Sequence, residues 1–406
     1  MLRTARCGIV ACLLLCAAPG ASAQPELPAK VQAALESWLT QRTAEEKVTG
    51  IAAYISFGDP GPAIEAFAGK VGRAPNDAPI GRDTLFQMGS SSKSFAAAVV
   101  LKLEAAGKLS LDDTIGKWLP EYPAWKNVDV RSLLNMTSGI PTYSETEFIS
   151  RVWTEEPTRA LSAAELVRAA YPTGTNDLPV PTGYFYSNTN YILAAMIAEK
   201  AAGSSYRNLV HQLIIEPLGL HSTFYESGAY PPAVVQRQAH GYFENTACAD
   251  YQPKDCQKSW NLPLVGRDVR EDSLSWAQAA GGAIAGARDV DRWVRTIFSG
   301  RFVPPKQQAE WLRLVSTRTG KPIAEVSADD PGGFSLGLAR SMLPEVGARW
   351  FYEGETLGYR TLYVWFADDD MVITVQTNSQ PNGNTDKLGD AVLALYRIAK
   401  GQAGGK

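Results

Sequence analysis

Strand-like segments lie near both ends of this chain and a helix-and-loop region fills the middle, an order that constrains the fold more than any single motif does. Residues 50–57 are rich in β-formers, Asp59-Pro60-Gly61-Pro62 is a turn, and a second strand runs on through Phe67. Toward the other end, residues 348–353, 359–367 and 371–377 read as three antiparallel strands, the last two joined by Asp368-Asp369-Asp370. Three adjacent carboxylates can look like a metal site, but between two β-runs they fit a solvated hairpin turn, and no metal is expected there. Amphipathic helices precede the first strand (residues 29–46, with Val31, Leu35, Trp38 and Leu39 on one face) and follow the last (residues 386–399). The expected architecture is α+β: an antiparallel sheet flanked by helices, drawn from residues 24–88 and 285–406, with a mainly helical domain inserted at 89–284.

Residues 1–23 read as an export signal: Arg3 and Arg6 form the charged start, residues 7–18 the apolar run, and Ala21-Ser22-Ala23 the small-residue cleavage site. That run is shorter than the roughly 20 residues a spanning helix needs, so no stable membrane insertion is expected. Leu14-Leu15-Cys16 is a poor lipobox. Cleavage after Ala23 would release the protein into the periplasm or the medium. It would also remove three of the five cysteines, leaving Cys248 and Cys256, which an oxidising compartment favours as a disulfide, although the spacing also fits two unpaired thiols. A net charge of −3 gives no footprint for nucleic acid.

Absent motifs narrow the chemistry further. The chain has no G-x-G-x-x-G, P-loop, C-x-x-C or H-E-x-x-H, so nucleotide, redox-dithiol and common zinc readings lose their anchors and no cofactor is expected. The three histidines, His211, His221 and His240, sit in contexts that read as structural, and without a G-x-S-x-G elbow a serine-histidine esterase is disfavoured.

What remains is a serine nucleophile that does not need histidine. Ser90-Ser91-Ser92-Lys93 is the only S-x-x-K, and it opens an alanine-rich helical run, residues 90–106, directly after a β-like stretch and Gly89. About one chance match falls in a chain of this length, and a lone S-x-x-K also suits a serine cap with a solvated lysine. On a helix, however, positions i and i+3 share a face, so Lys93 lies beside Ser90. The positive end of the helix and burial both favour a neutral amine, which can take the serine proton. Tyr186-Ser187-Asn188, at the start of another apolar helix, adds a phenol for proton relay and an amide that can orient Lys93 or a substrate carbonyl.

Taken in order, Ser90 and Lys93 (S-x-x-K), Tyr186 and Asn188 (Y-x-N) and then Tyr352-Glu353-Gly354 resemble the motifs of the penicillin-recognising serine hydrolases, namely class C β-lactamases, DD-peptidases and their esterase relatives. Six stretches, one of them containing Y-x-N, agree in order over residues 86–378: KLSLDDTIGKWLPEYP, RSLLNMTSGIP, YSNTNYILAAMIAEKAAG, IIEPLGLHSTFY, GGAIAGARDVDRW and VITVQTN. The resemblance implies that Ser90 is the acylated nucleophile, Lys93 its base, Tyr186 the proton-transferring phenol and Asn188 the orienting amide. It also implies that the backbone N–H groups of Ser90 and Glu355 form the oxyanion hole.

The third motif departs from the family pattern, which usually has Lys or His where this chain has Tyr352, beside Glu353 and Glu355. Losing a cation and gaining acids should weaken binding of an anionic group, although Arg360 would compensate if it turned into the cleft rather than standing as a solvated strand arginine. Tyr352, Gly354 and Arg360 are therefore the expected substrate-binding positions. The expected activity is cleavage of an ester or amide in a small-molecule or peptide substrate through an acyl-enzyme at Ser90. A D-alanyl-D-alanine carboxypeptidase or class C-like β-lactamase is the alternative, and a catalytically idle protein that binds muropeptides or peptides is a third reading.

Overall fold

The computed structural model describes residues 27–174, 177–247 and 261–401. The expected signal segment and both Cys248 and Cys256 lie outside the described residues.

Nine strands form one antiparallel sheet. In chain order they are β1 (Gly50–Phe57), β2 (Ala63–Gly69), β3 (Leu314–Ser316), β4 (Pro322–Ile323), β5 (Gly332–Phe334), β6 (Ala339–Leu343), β7 (Gly347–Glu355), β8 (Arg360–Phe366) and β9 (Met371–Thr377). Their order across the sheet is β2-β1-β9-β8-β7-β6-β5-β3-β4. The first and last of these strands meet toward one edge of the sheet, where β1 pairs with β9 from Ile51 opposite Thr377 to Phe57 opposite Met371. This is the expected α+β arrangement, an antiparallel sheet flanked by helices.

The pleat sorts side chains to the two faces. Ile51, Ala53 and Ile55 of β1, Leu362, Val364 and Phe366 of β8, and Ile373 and Val375 of β9 pack on one face under two helices, α1 (Leu27–Glu46) and α5 (Leu388–Ala399). Ala52, Trp350, Tyr352, Tyr363 and Val372 face the opposite side and join a larger core with three helices of the chain interior, α2 (Lys93–Ala105), α3 (Asn188–Ala202) and α4 (Ala287–Phe298). Phe298 of α4 stacks on Trp365 at a centroid distance of 4.2 Å. The three aspartates after β8 serve the turn expected of them. Asp369 accepts from Tyr396 of α5 and pairs with Lys400, while Asp370 adopts φ 44° and pairs with Arg295 of α4.

Arg360 is neither a cleft cation nor a solvated arginine, which corrects both expectations for it. It begins β8 and shares parity with Leu362, Val364 and Phe366, so the pleat sends its side chain to the face beneath α1 and α5. There it is wholly buried, bonded to Glu46 at the end of α1 (2.7 Å), to Asp386 ahead of α5 (2.5 Å) and to the Ser379 carbonyl (2.8 Å). Removing one partner of a buried ion pair strands the others in a medium that cannot solvate them. Arg360→Met should therefore lower unfolding stability by about 3–5 kcal/mol, read from the denaturant midpoint by circular dichroism, and an unchanged midpoint would contradict this account of the network.

Candidate active site

A three-stranded sheet places the turn that carries Ser90. Phe86–Gln87 pairs with Ala283–Ala285, which also pairs with Thr223–Tyr225, and Met88 N–H donates to Ala283 O at 2.8 Å. The chain then makes a 3-10 turn, Gly89–Ser92, before α2 begins at Lys93. Ser90 thus sits one turn ahead of the regular helix and not within it, and three-residue periodicity aligns it with Lys93. The neighbouring serines are committed elsewhere: Ser91 Oγ donates to Thr361 O and Ser92 Oγ accepts from Ala283 N–H, both serines being buried.

Two glycines let this turn meet the end of β7. Gly89 has φ 51°, and a Cβ on it would lie 2.6 Å from both Glu355 N and Glu355 O. Opposite, a Cβ on Gly354 would lie 1.9 Å from Met88 O and 2.8 Å from Ser90 N. Gly354 therefore contributes closeness, holding the Glu355 amide beside the Ser90 turn. Two N–H groups in that position are the kind of fixed donors that stabilise a developing oxyanion.

Lys93 is fully buried, and its Nζ lies 3.0 Å from Ser90 Oγ, 2.8 Å from Asn188 Oδ1 and 2.6 Å from Ala280 O. Burial holds the amine well below the ordinary lysine range. A neutral amine has two hydrogens and one lone pair. Asn188 Oδ1 and Ala280 O can only accept, so they take the hydrogens and the lone pair is left toward Ser90 Oγ–H. Asn188 is itself oriented, because its Nδ2 donates to Ser144 Oγ at 3.0 Å and its N–H to Thr142 Oγ1 at 3.1 Å.

Tyr186 O–H donates to Ser90 Oγ at 2.6 Å, and Tyr352 O–H to Tyr186 Oη at 3.3 Å. Burial pushes the Tyr186 phenol up to about 12, while its bonds to Ser90 and Tyr352 act in the opposite direction. The loop bearing Tyr186 rests on the turn at residues 135–139, where Met136 has φ 64°, its carbonyl accepts from Phe185 N–H and its sulfur from Ser187 N–H. Tyr352 is only 5% exposed and packs edge-on against Phe334. It offers the site a hydrogen bond behind Tyr186 more than an open contact surface.

In front of Ser90 lies a cavity of ≈ 540 Å³. Trp153 and Trp276, in edge contact at 5.0 Å, form an apolar wall with Phe243 and Leu357, and Glu355 and Gln380 border the cavity as well. The three histidines do not line it. His211 lies near Tyr225 O and His240 bonds Asp268. Glu353 is not part of the lining either: it sits on the α1/α5 side of the strand, where burial and then Asp386 and Glu355 raise its carboxyl well above the usual range.

Sequence reasoning missed Ser144, the Ala280 carbonyl and the tryptophan wall. Ser144 and the tryptophans stand in loops and helices remote in sequence with no motif around them, and a carbonyl ligand carries no residue signature at all.

The fold and this constellation have counterparts among known proteins. The family described as Beta-lactamase matches residues 35–397, and the chain belongs to it. A penicillin-binding protein of Bacillus subtilis (strain 168) is 25% identical over 303 residues, 74% of this chain and 62% of that relative, so the chain spans under two thirds of its length. Among solved structures, a D-stereospecific amidohydrolase from Streptomyces sp. superposes with a TM-score of 0.70 at 26% identity, covering 91% of this chain and 97% of that one. The D-amino acid amidase from Ochrobactrum anthropi SV3 gives 0.73 at 23% identity, covering 93% and 100%, a likeness of fold.

Since only the neutral amine has a lone pair, kcat/KM should rise with pH through the Lys93 pKa, and its limb should fall below the ordinary lysine range. Lys93→Ala should abolish that limb and, like Tyr186→Phe, slow acylation at least about a hundredfold with little change in substrate binding. Tyr352→Phe removes one hydrogen bond from the relay and should cost about 1 kcal/mol, roughly fivefold in acylation rate. Pre-steady-state acylation across pH distinguishes these outcomes, and a pH limb that survived Lys93→Ala would assign the base elsewhere.

Proposed function

We propose that this protein is an exported serine hydrolase that cleaves esters or amides in two steps through an acyl-enzyme at Ser90. The observation that carries the reading is the buried Lys93 amine, whose two hydrogens are claimed by carbonyl oxygens while Ser90 Oγ lies 3.0 Å from its nitrogen. Ser90 Oγ attacks the substrate carbonyl as its proton passes to Lys93 Nζ, and the Ser90 and Glu355 N–H groups hold the oxyanion. Tyr186, bonded to Ser90 Oγ, delivers a proton to the leaving group; in the second step its phenolate takes a proton from the water that attacks the acyl carbonyl, and Lys93 returns its proton to Ser90 Oγ as the acid is released.

An acyl group with an apolar side chain and no negative charge suits the Trp153 and Trp276 wall. A carboxylate-bearing substrate has less support, because Tyr352 stands in the place of a cation and Arg360 is committed beneath the sheet. This ranks an esterase or amidase above the carboxypeptidase and β-lactamase alternatives. The likeness to a D-stereospecific amidohydrolase supports amide cleavage as part of the range.

A fluorescent fluorophosphonate should label the wild-type protein at Ser90, mapped by peptide sequencing, and Ser90→Ala should lose both labelling and turnover. Ser91→Ala and Ser92→Ala should retain label. A panel of p-nitrophenyl esters, D-Ala-D-Ala peptides and nitrocefin should then be turned over best as the neutral esters. Preference for nitrocefin or the peptides would favour the alternatives, and absence of any label would favour a binding protein.

A further inference from the structure

Among the described residues lining the cavity in front of Ser90, Glu355 is the one with a fully ionisable acidic or basic side chain. Its carboxyl group is exposed at the end of β7, 3.5 Å from Gln380 Nε2, which borders the same cavity, and within 4.8 Å of the carboxyl oxygens of Glu353 and Asp386; partial burial and then Asp386 raise it above the usual carboxylate range. Its charge reaches the reaction centre, because it acts on the Tyr186 phenol. The nearest guanidinium does not cancel it by direct contact: Arg360 spends its hydrogen bonds on Glu46, Asp386 and Ser379. Lys93, buried and without a carboxylate partner among the described residues, is held toward its neutral form. The cavity therefore combines an aromatic wall with one lining acid, Glu355, backed by Glu353 and Asp386, and no described lining side chain supplies a cation.

From this we infer that Glu355 is a substrate-binding residue that selects acyl groups bearing an ammonium near the scissile carbonyl, as in aminoacyl esters and amides with a free amine. The inference rests on the serine-hydrolase reading and deepens it by naming the charge of the substrate. The carboxylate accepts the ammonium hydrogens in a charge-assisted bond while an apolar side chain lies against Trp153 and Trp276. The same charge repels an anionic acyl group, which extends the effect of losing the cation at position 352.

The test compares three methyl esters of similar shape, assayed below the pKa of the amine: phenylalanine methyl ester in both enantiomers, methyl 3-phenylpropanoate, and the monomethyl ester of benzylmalonic acid. Wild-type kcat/KM should favour the better phenylalanine ester over the neutral analogue by about ten- to a hundredfold, with the anion slowest. Glu355→Gln should bring the cation-to-neutral ratio close to one, Glu355→Asp should restore part of it, and Glu355→Lys should reverse it. These readouts are ratios, so any effect of the substitutions on the neighbouring backbone donor divides out. Equal wild-type rates on cation and neutral analogue, or a preference that survives in Glu355→Gln, would overturn the inference, and fluorophosphonate label still found at Ser90 would leave the hydrolase reading standing. Absence of that label from wild type would overturn both.

Discussion

The site depends on a near-collision between two backbones. The turn at Gly89 and the end of β7 at Gly354 approach so closely that a single methyl group on either would have to displace main-chain atoms. Main chain cannot yield as a flexible side chain can, so the spacing between the nucleophile turn and the strand is fixed by the fold. Everything proposed for the oxyanion inherits its precision from this contact. The small sheet at residues 86–87 and 283–285 holds the turn from behind, and the pairing of Glu355 with Arg360 holds the strand from the side.

Around that fixed point the charges are distributed unevenly. Lys93 is buried with carbonyl oxygens for company, and Tyr186 is pushed upward by its own burial. Both groups are thereby kept near their neutral forms, which suits moving a proton more than holding an ion. The strong cation of the neighbourhood, Arg360, is on the other side of the sheet. Its commitment to Glu46 and Asp386 leaves Glu355, at the exposed end of β7, as the acid that borders the cavity.

Much of this was legible in the residues. Strands at both ends with a helical middle gave the α+β arrangement, and S-x-x-K followed by Y-x-N brought together Ser90, Lys93, Tyr186 and Asn188. Arg360 was misjudged although the signal was present: it alternates with Leu362, Val364 and Phe366, and a reading by pleat would have placed it with them on the helix-covered face. Tyr352 and Gly354 alternate in the same manner away from Glu353. Nothing comparable pointed to Ser144 or to Ala280 O, because their importance comes from hydrogen bonds across 44 and 187 positions of sequence. Chain separation of that kind leaves no local pattern of hydrophobicity or turn chemistry to read.

The network at Arg360 also sets an order of assembly. Glu46 is near the beginning of the described chain and Asp386 near its end, and the arginine they share begins the strand next to the one that carries Glu355. During synthesis the first helix must wait through more than three hundred residues before its buried glutamate meets its counter-charge, and the last helix must follow before the arginine is fully neutralised. Domains complete themselves only when such distant partners have both emerged. A truncated or still-growing chain would thus hold Ser90 and Lys93 in sequence without holding them in a finished site, and hydrolytic competence would arrive late, with the closing of the carboxyl-terminal helix over the sheet.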